Sequence, residues 1–364
     1  MTAPLFRCLA GVRVVDVSRY LPGPLATLWL GDFGAEVIKV EPPGGEGLRT
    51  LGPRDGAGRG VWHAALNAGK RRLELDLAEA RGRAALLALL DDADVLVESF
   101  RPGVLDRLGL GPALLRERCP RLVIASLSGY GQQGPLRDAA GHDNNYLALS
   151  GLLAGVGPAP AQPTLVWPPL ADSLGSLFAL AAIVGALLAR ARDGAQGQGC
   201  HIDLALADVA MPLQAFSLAE AGSGVAPSPR GEGLLSGGWA CYGIYRAACG
   251  REFALGAVEP KFWAAFCRAA GRPDWIARQG EALPQRALRA EVEAWFRQHD
   301  ADALAQRFAN VDCCLTPVLS RDEALNAPHH QARGLTVSAD RGAGVDALFP
   351  VRVDGEAPRA RTRR

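Results

Sequence analysis

Between residues 12 and 129 the chain alternates short apolar, β-branched runs with helix-length segments, and this alternation limits its fold more than any other feature. VRVVDV (12–17) reads as a buried strand, PGPLATLWLGDFG (22–34) as a helix opened by proline and closed by glycine, and AEVIKVE (35–41) as a second strand. RLELDL (72–77), a helix over 78–90, DVLVESF (94–100), a helix around 104–117 and RLVIASLSG (121–129) continue the series. Repeated βαβ units of this kind predict an α/β fold, a Rossmann-like large domain with a mostly parallel sheet and helices on both faces. No GxGxxG turn follows the first strand, which argues against a nicotinamide dehydrogenase.

The pattern changes after residue 199. GCHIDLALADVAMPLQAFSLA (199–219) holds a short strand and a helix, and a Gly, Ser and Pro-rich stretch at 220–231 reads as a linker. CYGIYRAACGREFALGAVEP then alternates like a hairpin turning at Cys249 and Gly250, with helices near 261–270 and 286–308. A smaller α+β domain over 232–326 follows. LGSLFALAAIVGALLA (174–189) is apolar almost all round but slightly short for a membrane span, so it reads as a helix at the buried centre of the large domain. The final RARTRR reads as a solvated, frayed tail.

With 364 residues, 49% of them hydrophobic, the chain can bury a full core in two domains. Its net charge of +1 argues against nucleic acid or an anionic membrane as the main partner, since both normally call for a strong basic excess. Eight cysteines show no CxxC pair, and no signal peptide is evident, so reduced thiols and a cytoplasmic location are expected. Adjacent Cys313 and Cys314, like adjacent His329 and His330, lack metal-ligand spacing, and no metal is assigned. The only lysines, Lys39, Lys70 and Lys261, leave few candidates for Schiff-base chemistry.

Two segments carry the chemistry. AGHDNNYLALSG sets His142 and Asp143 between two glycines, and PPLADSLGSL places Asp172 thirty residues after His142. Together they suggest an acid and base pair. Taken singly, Asp172 could be a helix N-cap and His142 a turn residue.

SRYLPGPLATLWLGDFGAEVIKVE, NAGKRRLELDL, ESFRPGVLDRLGL, SGYGQQGP, AGHDNNYLALSG and GAVEPKFW, in that order, resemble the class III CoA-transferase (CaiB/BaiF) superfamily, and within it the α-methylacyl-CoA racemases. The resemblance runs from about residue 9 to about residue 330. It implies an acyl-CoA thioester substrate with no tightly bound cofactor, coenzyme A entering as part of the substrate. It also implies an interlocked homodimer and a large CoA-binding domain, 1–219, completed by 327–364. By the same route His142, Asp172 and Glu259 match the racemase acid and base groups and the histidine's partner, and Arg101 a CoA contact. The phosphates of coenzyme A call for clustered cations, and Arg49, Lys70, Arg71, Arg72 and Arg101 are the candidates. The implied reaction is epimerisation of 2-methylacyl-CoA by two-base α-proton exchange through an enolate. The alternative is transfer of CoA between carboxylic acids, with Asp172 as nucleophile. A CoA-binding regulatory protein without catalysis is a third reading, which retention of all three candidate groups argues against. Pro42 stands where many relatives carry arginine, and Ser236 where they carry aspartate, so altered adenine and acyl pockets are expected.

Overall fold

The computed structural model describes residues 3–338 and 344–361. The chain forms a larger unit, Met1–Ser150 with Trp167–Leu213 and Leu325–Arg364, and a smaller one, Gly151–Val166 with Gln214–Ala324. These limits differ from those drawn on the sequence. Residues 151–166 and 214–219 go with the smaller unit, and 220–222, placed in a linker, form the last turn of a helix.

In the larger unit β1 (Arg13–Asp16), β2 (Glu36–Glu41), β3 (Arg71–Glu74), β4 (Val95–Glu98), β5 (Val123–Ser128) and β6 (His201–Ala205) form one sheet in the order β3-β2-β1-β4-β5-β6. Every neighbouring pair is parallel. The strand order reverses between β1 and β4, and in open sheets of this kind ligands gather at the carboxyl ends beside such a reversal. Its helices are α1 (Pro22–Asp32), α2 (Val61–Leu66), α3 (Ala80–Leu90), α4 (Val104–Arg107), α5 (Pro112–Arg118), α6 (Asp143–Leu149) and α7 (Leu170–Arg192). On one face of the sheet Val15, Ile38, Leu96 and Ile124 pack with Leu86, Leu90, Leu105 and Leu115 from α3 to α5. Each such side chain contributes roughly 1.5–3 kcal/mol by leaving water. The helix expected over 104–117 is two helices, because Gly109 adopts φ +69° and Pro112 opens a new first turn.

The reading of 174–189 as a buried central helix is corrected by α7. Ala171, Gly175, Ala179, Leu180, Ile183 and Leu187 form a buried face. Leu177, Phe178 and Leu188, by contrast, are 44%, 39% and 52% exposed. Thus α7 is apolar all round because it has two apolar faces, of which the sheet side is covered in the single chain.

The smaller unit holds α8 (Ala215–Gly222), the antiparallel strands β7 (Tyr242–Arg246), β8 (Glu252–Gly256) and β9 (Leu315–Pro317), and helices α9 (Pro260–Ala269), α10 (Arg286–Phe296) and α11 (Ala301–Phe308). Gly250, at φ +89°, makes the expected hairpin turn. The single helix read over 286–308 breaks before Asp300, whose extended backbone starts α11. Its core is aromatic: Trp263, Phe266, Trp275 and Phe296 are fully buried. The indole N–H of Trp263 donates to Trp275 O at 3.0 Å and that of Trp275 to Glu291 Oε2 at 3.0 Å, so neither ring leaves a buried donor unmatched.

After α12 (Arg321–Asn326), α13 (Pro328–Arg333) and the antiparallel pair β10 (Thr336–Ser338) and β11 (Val345–Ala347) return to the larger unit. The frayed-tail reading is corrected at Arg361. Its nearly buried guanidinium pairs with Asp32, Nε to Oδ1 at 2.7 Å, and donates to Ala347 O. Residues 362–364 lie outside the described residues.

Candidate active site

Helix α6 starts where Gly141 allows a close approach. A Cβ there would lie 2.7 Å from Tyr130 Oη and 2.8 Å from the Tyr146 ring, too near for any side chain. The Tyr146 hydroxyl donates to Gly141 O at 2.6 Å and its ring meets Tyr130 edge-on at 5.3 Å, which fixes the turn. His142 is the exposed N-cap residue, and its backbone N–H donates to Asn145 Oδ1 at 3.0 Å. Asp143, the first residue of α6, accepts the backbone N–H of Asp172 on Oδ1 at 3.0 Å. A single carboxylate therefore ties the start of α6, which bears His142, to the first turn of α7, which bears Asp172.

Asp172 is not the N-cap of α7. Pro169 holds that position, and Asp172 is the third helical residue. Its carboxylate accepts no hydrogen bond among the described residues, although its carbonyl takes the Ser176 hydroxyl at 3.0 Å. Two effects compete here: the helix N-terminus favours the anion, burial favours the acid. Burial wins, and with the neighbouring charge of Asp143 it pushes Asp172 up to about 7. The Tyr146 hydroxyl is raised as well, by burial first and then by the charge of Asp172. A carboxyl group so placed exchanges its proton near neutral pH. The backbone N–H of Asp172 is already held by Asp143, so this donor is not free to face a ligand oxygen.

The carboxyl ends of β1, β2 and β4 enclose a cavity of about 230 Å³, walled by Val17, Val40, Pro42, Leu77 and Phe100, with Arg19 and Glu46 among its polar groups. Glu41, at the end of β2, accepts from His63 Nε2 and Arg49 Nη2, each at 2.6 Å. Burial raises its carboxyl, but these bonds outweigh burial and hold it down at about 2. Arg49 is therefore paired, though a third of it stays exposed. Arg71 is exposed and 4.0 Å from Glu36. Arg72 and Arg101 are exposed, and among the described residues neither has an ion-pair partner.

Lys70 does not join this group. Its ammonium is buried and donates to Asp16 Oδ2, Pro24 O, Thr27 Oγ1 and Asn67 Oδ1 at 2.8–3.1 Å. Burial lowers it to about 8, against the opposing pull of Asp16. Two buried lysines, Lys39 and Lys70, serve one buried aspartate. That arrangement leaves the Lys70 ammonium buried, unlike the guanidinium groups of Arg71, Arg72 and Arg101. Glu259 is exposed at the N-cap of α9 in the smaller unit.

Sequence reading missed Asp143 as the tie between α6 and α7, though the polar residue opening a helix was visible. It also missed Glu98, at the end of β4, which burial raises to about 7 against bonds from Ser126 and the Phe100 N–H. An acidic residue closing an otherwise apolar strand was the available signal.

The sequence pattern of CoA-transferase family III matches residues 9–363. Human α-methylacyl-CoA racemase is 35% identical over 334 residues, 91% of this chain and 83% of that protein. Acetyl-CoA:oxalate CoA-transferase of Acetobacter aceti is 32% identical over 354 residues, 95% of this chain and 89% of that protein. The crystal structure of a CaiB/BaiF family protein from Brucella suis superposes with a TM-score of 0.85 at 28% identity, covering 98% of this chain and 95% of that one.

Proposed function

The chain belongs to CoA-transferase family III, a family of enzymes acting on acyl-CoA, and from that premise we propose that it epimerises 2-methylacyl-CoA thioesters. Asp172 or His142 removes the α-proton, the C–H electron pair moves onto the thioester oxygen as an enolate, and the other group returns a proton to the opposite face. The observation that carries this reading is the tie through Asp143, which holds the His142 and Asp172 positions together while Asp172 stands at about 7. At neutral pH such a group is present in both forms, which suits a residue that must accept a proton in one direction and give one in the other. The family resemblance adds Glu259 as the partner that orients the imidazole. Arg49, Arg71, Arg72 and Arg101 remain the cations offered to the phosphates of coenzyme A.

The second reading, CoA transfer through an anhydride at Asp172, is favoured by the likeness to the oxalate CoA-transferase. It needs Asp172 ionised as nucleophile and gives His142 no necessary part.

Incubation of the protein with one epimer of a 2-methylacyl-CoA in heavy water separates the two. Epimerisation predicts α-deuterium and a mixed epimer ratio, with His142→Ala and Asp172→Ala each removing most of both, about 100-fold or more. Transfer predicts CoA capture by a free acid, an aspartyl anhydride or CoA thioester at Asp172 that hydroxylamine converts to a hydroxamate, and indifference to His142→Ala.

A further inference from the structure

Glu98 is a buried carboxyl that neither reading of the reaction uses. It closes β4 at 4% exposure and is followed at once by the turn that carries Phe100 and Arg101. Its Oε2 accepts the Phe100 N–H at 2.7 Å. Ser126 stands beside it in register on β5, and the buried Ser126 hydroxyl bonds Glu98 and lies 2.9 Å from His201 Nε2 on β6. A carboxyl, a hydroxyl and an imidazole thus form one chain across three strands, ending at half-buried His201. The charges of Asp106 on α4 and Asp203 on β6 act on both ends of it, and Arg116 of α5 acts on His201. Burial raises Glu98 to about 7 and lowers His201, so near neutral pH the carboxyl titrates beside an uncharged imidazole.

The turn beyond Glu98 bears groups offered to the substrate. The Phe100 ring walls the cavity at the strand ends, with the Arg19 guanidinium 5.3 Å from its centroid. The Arg19 N–H donates to Ser99 Oγ at 2.9 Å, and Arg101 O accepts the Val104 N–H at 3.1 Å. How firmly Phe100 is held depends on Glu98, because an ionised carboxylate is a stronger acceptor than a neutral carboxyl. The chain accommodates both forms. Neutral Glu98 donates to Ser126, which donates to Nε2 of His201; ionised Glu98 accepts from Ser126, which then accepts from the Nε2–H tautomer. We propose that Glu98 is a positioning residue, backed by Ser126 and His201, that holds the turn of Phe100 and Arg101 in its coenzyme A-binding form when ionised and loosens it when protonated. This role rests on the placement of coenzyme A beside Arg101, and goes beyond it by making that placement respond to pH.

Calorimetric titration of the full chain with coenzyme A between pH 6 and pH 8 tests this without turnover. Relative to Glu98→Gln, whose amide keeps an acceptor but cannot ionise, the affinity of the parent should rise about fivefold over that range. The ligand's own titration is common to both proteins and cancels. Ser126→Ala removes a bond that holds the Glu98 carboxyl down, so the midpoint of the profile should move to higher pH, a change that mere loss of packing would not produce. Without ligand, the Phe100 amide of the parent should gain protection from hydrogen exchange over Glu98→Gln across the same range. Thermal melts check folding, and Ser126→Ala decides the matter if Glu98→Gln does not fold. Identical pH profiles in parent and Glu98→Gln, a relative loss of affinity towards pH 8, or an unmoved midpoint in Ser126→Ala overturns the positioning role. Coenzyme A that fails to saturate the parent overturns both the ligand's placement and this role, whereas absence of epimerisation touches neither.

Discussion

Asp143 acts on Asp172 in two ways, by accepting its backbone N–H and by placing a negative charge beside its carboxyl. Asp143→Asn keeps an acceptor oxygen and removes the charge, so the titration of Asp172 should move down from about 7, by up to about one unit. The pH–rate profile of proton exchange, or infrared titration of the carboxyl, reads this directly. Stability follows the same group with a definite sign. A carboxyl raised in the folded state is stabilising below its unfolded value near 3.8, and that contribution is lost as pH rises through about 7. Asp172→Asn should therefore raise the melting temperature more at pH 8 than at pH 4, and equal gains at both would contradict the raised carboxyl. At this scale the sequence showed which side chains could exchange protons, but not their surroundings. Lys70 looked like a phosphate ligand in a basic run, and only the folded sheet, which brings the residue before β3 to Asp16 of β1, reveals that Asp16 holds it.

Helix starts set the site, and each has a physical cause visible in part beforehand. The entry to α6 depends on Gly141, because the tyrosine rings occupy the space of a side chain. Gly141→Ala should displace Tyr146, cost about 1–3 kcal/mol in chemical denaturation, and reduce exchange by at least tenfold through the misplaced His142. Unchanged activity with unchanged stability would show that the turn tolerates a Cβ. The parallel strands were legible because their apolar runs and intervening helices alternate without interruption. The breaks inside 104–117 and 286–308 were less so. Pro112 and Asp300 mark them, yet an amphipathic pattern continuing on both sides hides a change of axis. The meeting of α6 with α7 was not legible at all, since a carboxylate bonding a backbone N–H 29 residues away leaves no periodic trace.

For the molecule as a whole, the uncovered side of α7 calls for a cover. Leu177, Phe178 and Leu188 are large apolar side chains left exposed along it, and a second copy of this chain is the partner the family resemblance implies. Sedimentation velocity should give a dimer, and the double variant Leu177→Glu with Leu188→Glu should sediment as a monomer. A monomeric parent would remove that expectation. The ion pair of Asp32 with Arg361 has a further consequence for how such a protein is made. The two residues lie 329 positions apart, and three separate stretches of chain build the larger unit. As translation proceeds from the amino end, the first βαβ segment waits with an unmatched acidic group until residue 361 has emerged. The smaller unit, built from 151–166 and 214–324, has all its residues in place before that acidic group finds its partner.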